Sequence, residues 1–179
     1  MKKRNLLVSA MALLLLCAGC GEKGLTMEVW VDYYLTDDMP WEESKTLTLP
    51  EFPGVTFTWT SGDVTAADGD DTTVLFWGMP VWNVYLSDLT GDGKPEFCAT
   101  ISVGSGIIDD RVVVYDYASG TFWELQDRWK RDYRLEQKDG SIQVVESEYQ
   151  GPEISQGTLA LAADGSGNLQ LIMEDRKNS

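Results

Sequence analysis

Residues 82–123 read WNVYLSDLTGDGKPEFCATISVGSGIIDDRVVVYDYASGTFW, and this stretch decides the fold. It predicts three or four consecutive β-strands, because apolar and β-branched runs alternate with short segments rich in Gly, Asp and Ser. Side chains of a strand point alternately to its two faces. The second run places apolar side chains on one face, namely Phe97, Ala99, Ile101 and Val103. The other face carries the small side chains of Cys98, Thr100 and Ser102. We therefore expect this stretch to form the centre of an all-β domain.

The loop between the first two of these strands has the spacing of a cation site. Side-chain oxygens fall at its positions 1, 3, 5 and 9, which are Asp88, Thr90, Asp92 and Glu96. Lys94 at position 7 offers only its backbone carbonyl, and Gly93 at position 6 permits a sharp turn. Ca²⁺ takes about six to eight oxygen ligands in a flexible geometry, so the loop predicts a site for Ca²⁺ or a similar hard cation. It is not an EF-hand, because position 12 is Ala99 rather than a bidentate Glu.

Two further readings of the acidic turns stay open. Asp, Gly, Thr and Lys-Pro are ordinary turn residues, so the loop is also compatible with a metal-free hairpin turn. A second acidic turn, Asp68-Gly69-Asp70-Asp71, is another candidate for a cation, although a turn between two strands explains it as well.

At the first loop the chain resembles a known group of repeats. The pattern D-x-T-G-D-G-x-x-E, followed by a strand, a Gly-rich turn and VVVYDY, is similar to the metal-binding hairpin of FG-GAP and related propeller-blade repeats. The run GMPVWNVYLSDLTGDGKPEFCATISVGSGIIDDRVVVYDY resembles a group of Firmicutes lipoproteins. It is also similar to the extracytoplasmic domain of antirepressor-like membrane metallopeptidases of the beta-lactam-sensing kind. The resemblance extends from Thr46 to Tyr149 and carries only the loop ligands with it, because no peptidase motif is present.

The N-terminal residues have the pattern of a lipoprotein signal peptide. Residues 1–4 are Met-Lys-Lys-Arg, and residues 6–16 form an apolar run that is too short to span a bilayer. The sequence Leu16-Cys17-Ala18-Gly19-Cys20 resembles a bacterial lipobox, with cleavage before Cys20 and acylation of that cysteine. Cys17 stands where such motifs usually have Leu. The alternative is a plain secretory signal.

The charge of the chain limits its partners. Its net charge is −15, and removal of residues 1–19 would take away Lys2, Lys3 and Arg4 and so give −18. Such a surface disfavours nucleic acid and anionic lipid. We therefore expect contact with the membrane only through the N-terminal lipid, on the extracytoplasmic face of the cell membrane. The extracytoplasmic ligand or membrane-protein partner is not specified by the sequence.

Strand-turn units recur at about ten-residue spacing, and Asp139-Gly140 is the strongest hairpin signal. We predict about ten to twelve antiparallel strands in two packed sheets, one of which resembles a propeller blade. The predicted organisation is a signal peptide at 1–19, a lipidated tether and N-terminal segment at 20–45, an all-β domain at 46–175 and a polar tail at 176–179.

The sequence lacks the residues that several common kinds of catalytic site require. The chain has no histidine, which excludes Ser-His-Asp and Cys-His arrangements and His-ligated zinc. Cys98, the cysteine that remains after processing and acylation, is predicted to be a buried free thiol. We expect a binding or sensing lipoprotein with structural calcium rather than an enzyme. The alternatives are a carboxylate-based hydrolase of cell-wall glycans and a protein that docks on a membrane enzyme.

The tryptophans fall into two groups. Four occur in apolar strand contexts that predict core packing, namely Trp59, Trp77, Trp82 and Trp123. The other three, Trp30, Trp41 and Trp129, occur in polar surroundings. Trp129, within Arg128-Trp129-Lys130-Arg131, is predicted either to fold over a sheet edge or to form a surface contact, since exposed aromatics near Arg are enriched in binding hot spots.

Overall fold

The computed structural model describes residues 27–34, 36 and 38–175. The predicted signal peptide, Cys20 and the polar tail at 176–179 lie outside these residues. The described part contains 13 β-strands: β1 (Glu28–Asp32), β2 (Ser44–Leu47), β3 (Val55–Thr60), β4 (Asp63–Asp68), β5 (Asp71–Trp77), β6 (Val81–Ser87), β7 (Glu96–Val103), β8 (Asp109–Asp116), β9 (Thr121–Leu125), β10 (Arg131–Lys138), β11 (Ser141–Glu148), β12 (Glu153–Ala163) and β13 (Leu169–Asp175). Over this same part of the chain, no helix is long and apolar enough to cross a bilayer.

The strands form three antiparallel sheets. The central sheet has the order β1-β6-β7-β8-β9, the N-terminal sheet β2-β3-β4-β5 and the C-terminal sheet β10-β11-β12-β13. The predicted all-β fold of packed antiparallel sheets is therefore confirmed. The strand number is one above the predicted range, and there are three sheets rather than two. Each outer sheet is a four-stranded meander, the strand number of a propeller blade.

The third sheet follows from strand β7, which is buried on both faces from Glu96 to Ser102. On one face, Phe97 packs in a core cluster with Phe57 of the N-terminal sheet. On the other face, Cys98 packs in a second cluster with residues of the C-terminal sheet. A sheet that is apolar on both faces needs a covering layer on each side. The predicted small-residue face is thus the contact face for the C-terminal sheet.

Polar contacts fix the C-terminal sheet on the central one. Asn83 on β6 donates from Nδ2 to the Leu135 carbonyl over 3.0 Å and accepts from the Thr100 amide over 2.9 Å. The Leu135 amide in turn donates to Thr100 Oγ1 over 2.8 Å. All three residues are buried, so the loss of one partner would leave a buried polar group without a hydrogen bond.

Strand β1 belongs to the folded part of the chain, although the sequence places residues 20–45 in a tether and N-terminal segment. It pairs antiparallel with β6, with Glu28 opposite Leu86 and Asp32 opposite Asn83. Strand β2 begins at Ser44 and pairs with β3. Strand β1 and the first two residues of β2 therefore precede residue 46, the predicted start of the all-β domain.

Other local predictions have mixed outcomes. The Asp139-Gly140 hairpin is confirmed, with positive φ angles of 52° and 78° between paired β10 and β11. Cys98 is a buried free cysteine, and burial raises the pKa of its thiol. The prediction that Trp77 lies in the core is wrong, because it is 60% exposed. A register shift between β4 and β5 leaves Leu75 and Phe76 buried in succession, and Trp77 then points outward at the end of an edge strand.

Candidate metal centre

The predicted cation loop connects β6 to β7, two inner strands of the central sheet. Ser87 and Glu96 are paired across the two strands, so residues 88–95 form the connection. Gly91 and Gly93 have φ angles of 78° and 86°, a region in which only glycine is free of strain. The sharp turn that the sequence predicts at Gly93 is therefore present.

The loop brings its three carboxylates together. One ligand oxygen from each of Asp88, Asp92 and Glu96 can be chosen so that all three lie within 4.8 Å of one another. Thr90 joins this group, since its hydroxyl donates to Glu96 Oε1 over 2.8 Å. The four predicted side-chain ligands thus lie together in one cluster. Hard cations are bound by oxygen groups of this kind.

Backbone amides hold the carboxylates in place. Asp88 accepts from the amides of Gly91 and Gly93, over 2.7 and 3.0 Å. Glu96 Oε2 accepts from the amides at positions 89 and 90. Asp92 accepts from the Lys94 amide over 2.8 Å. An ionised carboxylate has about four acceptor positions, so these bonds orient the three groups and leave lone pairs for a cation.

The electrostatics of the loop favour added positive charge. Glu96 is completely buried. Burial raises the pKa of Glu96, hydrogen bonds from Thr90 and the Leu89 amide lower it, and the nearby Asp116 carboxylate raises it. None of the three clustered carboxylates forms an ion pair with a Lys or Arg of the described chain. A divalent cation would supply the missing charge and favour the ionised form.

The side chain of Lys94 takes no part in the cluster. Its ammonium lies over the ring of Phe52, 6.0 Å from the centroid. This position agrees with the prediction that Lys94 offers only its carbonyl oxygen to a cation.

The second acidic turn has no comparable arrangement. Asp68 and Asp71 are paired at the closed end of the β4–β5 hairpin, and Asp70 is exposed. Within the described ranges, the loop carboxylates form the one group of three acidic or other ligating side chains close enough to share an ion. The tight turn between strands therefore accounts for residues 68–71 without a cation.

The structure shows one predicted core tryptophan as buried and the predicted surface candidate as exposed. Trp59 is completely buried, as predicted. Trp129 is 60% exposed, has a φ angle of 70° and lies 5.6 Å from the Arg128 guanidinium. It is a surface side chain, as the contact hypothesis requires.

Sequence reasoning missed a polar cavity at the other end of the central sheet. Trp82, Ser102 and Asp110 come from β6, β7 and β8 and form one chain of hydrogen bonds there. Their spacing in the sequence contains no motif, because the sheet register alone brings them together.

Comparisons of the chain with protein-family models, curated proteins and solved structures found no match. The resemblance to FG-GAP repeats and to Firmicutes lipoproteins therefore remains a prediction from the residues of the loop.

Proposed function

We propose that this protein is a lipid-anchored extracytoplasmic binding or sensing protein whose β6–β7 loop binds one Ca²⁺ as a structural ion. The observation that carries the calcium proposal is the convergence of Asp88, Asp92 and Glu96 within 4.8 Å. Thr90 Oγ1 and the Lys94 carbonyl would complete the protein ligands. The ion would neutralise three clustered carboxylates and hold the connection between two core strands.

A structural role suits the ion better than a catalytic one. The loop lies between β6 and β7, and Glu96 is completely buried as the first residue of β7. A bound cation would therefore stabilise the start of a strand that contacts both neighbouring sheets.

The direct test is equilibrium dialysis against Ca²⁺ with Chelex-treated protein. We expect one ion per chain for the wild type and none for Asp92→Ala, with Asp70→Ala as the matched control. Equal uptake by the wild type and Asp92→Ala would contradict the assignment.

Membrane attachment is supported by the lipobox-like residues Leu16 to Cys20. Each buried CH₂ of an acyl chain contributes about 0.8 kcal/mol, so two or more chains give durable anchoring. The net charge of the processed chain, −18, disfavours direct adsorption to anionic lipid. The lipid would accordingly be the sole means of attachment.

The lipid anchor is tested by labelling cells that produce the full chain with radioactive palmitate. Cys20→Ser is expected to abolish incorporation of the label and to release the protein from the membrane fraction. Cys17→Ser is the matched control and is expected to keep the label, because Cys17 would be removed with the signal peptide. Retention of label by Cys20→Ser would contradict acylation at Cys20, and a plain secretory signal would give no label in any form.

A further inference from the structure

A surface cavity of about 510 Å³ lies where the central and C-terminal sheets meet. Six residues of its lining carry the argument: Tyr34, Trp82, Ser102, Asp110, Asp132 and Arg134. They come from the segment after β1, from the start of β6, the end of β7, and the starts of β8 and β10. The cavity is therefore at the opposite end of the central sheet from the cation loop. It is large enough to hold a small organic molecule at the surface.

The hydrogen bonds around Asp110 and Asp132 engage the Trp82, Ser102 and Tyr34 donors of the cavity. Trp82 Nε1 donates to Ser102 Oγ over 2.7 Å, and Ser102 Oγ donates to Asp110 Oδ1 over 2.5 Å. The Tyr34 hydroxyl donates to Asp110 Oδ2 over 2.7 Å. The amides of Asp110 and Gln150 donate to the two oxygens of Asp132, over 3.1 and 2.7 Å.

The two carboxylates of the cavity can still accept further hydrogen bonds. Each of the two carboxylates has accepted two bonds of about four that it can accept, and the Tyr34 oxygen keeps a free lone pair. A ligand group that binds Asp110 and Asp132 must therefore supply hydrogen-bond donors rather than acceptors.

The charges of the cavity point to the same ligand chemistry. Neither Asp110 nor Asp132 forms an ion pair anywhere in the described part of the protein. Arg134 lies in the lining, but its Nη2 is 3.4 Å from Glu153 and 3.7 Å from Glu136. Burial raises the pKa of Asp110, the hydrogen bonds from Ser102 and Tyr34 lower it, and the nearby Asp132 and Asp109 carboxylates raise it. A ligand cation beside Asp110 would favour its ionised form. The net charge of −15 adds a long-range attraction for cations.

Two aromatic rings form the wall beside the carboxylates. Tyr34 and Trp82 contact each other edge to face, with centroids 5.3 Å apart. Aromatic rings attract ammonium groups through their negative faces, and indole is the best of them. The Arg134 guanidinium already lies 5.8 Å from the Tyr34 ring centroid, which shows that this wall accepts a cation.

We propose that this cavity binds a small molecule through its protonated primary amino group, with Asp110 and Asp132 as the acceptors of its N–H groups and Trp82 as the adjoining ring. Two sources offer this group: an alkylamine, and an amino acid whose carboxylate would meet Arg134. The site is separate from the calcium loop, and its test is independent of the loop.

The test is an NMR titration of the full chain in detergent micelles with saturating Ca²⁺. The probe resonance is the Trp82 indole N–H, assigned by its loss from the spectrum of Trp82→Phe. Butylammonium chloride represents the alkylamine and L-leucine the amino acid, with sodium butyrate and sodium chloride as controls of equal ionic strength. We expect a saturable shift of the Trp82 resonance with one or both amino compounds and none with the two salts. The absence of a saturable shift with both amino compounds, or an equal shift with sodium butyrate, would overturn the proposal.

Variants of the cavity distinguish an alkylamine from an amino acid as the ligand and test Asp110 and Asp132 as the hydrogen-bond acceptors. Asp110→Asn and Asp132→Asn are expected to weaken binding about tenfold or more, since each removes a charge that accepts an ammonium hydrogen bond. Asp70→Asn, in the exposed β4–β5 turn, is the matched control and should bind as the wild type does. Arg134→Gln should weaken binding of L-leucine alone if the amino acid is the ligand class. Unchanged affinity in whichever of Asp110→Asn and Asp132→Asn retains the wild-type spectrum would also overturn the proposal.

Discussion

Replacing Phe57 with alanine is expected to lower the free energy of unfolding by about 3–5 kcal/mol, the usual cost of removing a buried phenyl ring. Phe57 is completely buried on β3. Its ring centroid lies 4.5 Å from that of Phe97 on β7, 5.2 Å from Tyr117 and 5.7 Å from Phe52. The side chain thus joins the N-terminal sheet to the central one, and its loss would leave a cavity between two layers that cannot close easily.

The measurement is chemical or thermal denaturation of Phe57→Ala. In a chain of this size each kcal/mol corresponds to about 2–4 °C, so the melting temperature should fall by roughly 10 °C. Phe122→Ala is the matched control, because Phe122 is a phenylalanine of edge strand β9 that is 45% exposed. It should cost well under half as much. Equal losses in the two variants would show that the N-terminal sheet does not pack on the central sheet as described.

Calcium is expected to raise the melting temperature, and Asp92→Ala is expected to abolish that rise. A ligand at about one hundred times its dissociation constant stabilises the folded state by about 2.7 kcal/mol, which corresponds to roughly 5–10 °C here. Mg²⁺ should stabilise the protein less, since it demands a near-octahedral shell and keeps several waters. The measurement is thermal unfolding in Ca²⁺, in Mg²⁺ and in EDTA.

Asp92 is the best position for this test because its replacement should prevent ion binding without disturbing the fold. Its side chain is exposed, and its one hydrogen bond in the loop is to the Lys94 amide. The variant should therefore melt close to the wild type in EDTA and differ from it only in calcium. Glu96 is unsuitable, because its removal would also leave two partly buried amides without a partner. Identical melting of the wild-type protein in Ca²⁺ and in EDTA would refute the structural-ion proposal.

The local features of this fold could be predicted from the sequence because they depend on neighbouring residues. Strand β3 is an example, since the alternation of Val55, Phe57 and Trp59 with threonines is typical of a half-buried strand and is present in the structure as alternating burial. The cation loop is also local, because its ligands are separated by one or three residues. The glycine in its turn has the required positive φ.

Features that depend on distant pairing could not be predicted. The third sheet rests on contacts such as those of Thr100 with Leu135, which no spacing pattern encodes. Trp77 is exposed because a register shift against β4 moves it out of the expected face. The cavity at Asp110 is assembled from six segments, and the sequence contains no signal that they meet.

The pairing of β1 with β6 sets the end of the central sheet to which a lipid on Cys20 would be joined. Glu28 lies opposite Leu86, two residues before the cation loop, so an acyl chain on Cys20 would be joined to that end of the sheet by residues 21–27. A linker of this length reaches at most roughly 25 Å. If Cys20 carries the proposed lipid, the start of β1 and the neighbouring cation loop would be held within about that distance of the bilayer. The cavity at Asp110 lies about one strand length, roughly 25 Å, from the cation loop, at the end of the central sheet that the anchor does not adjoin.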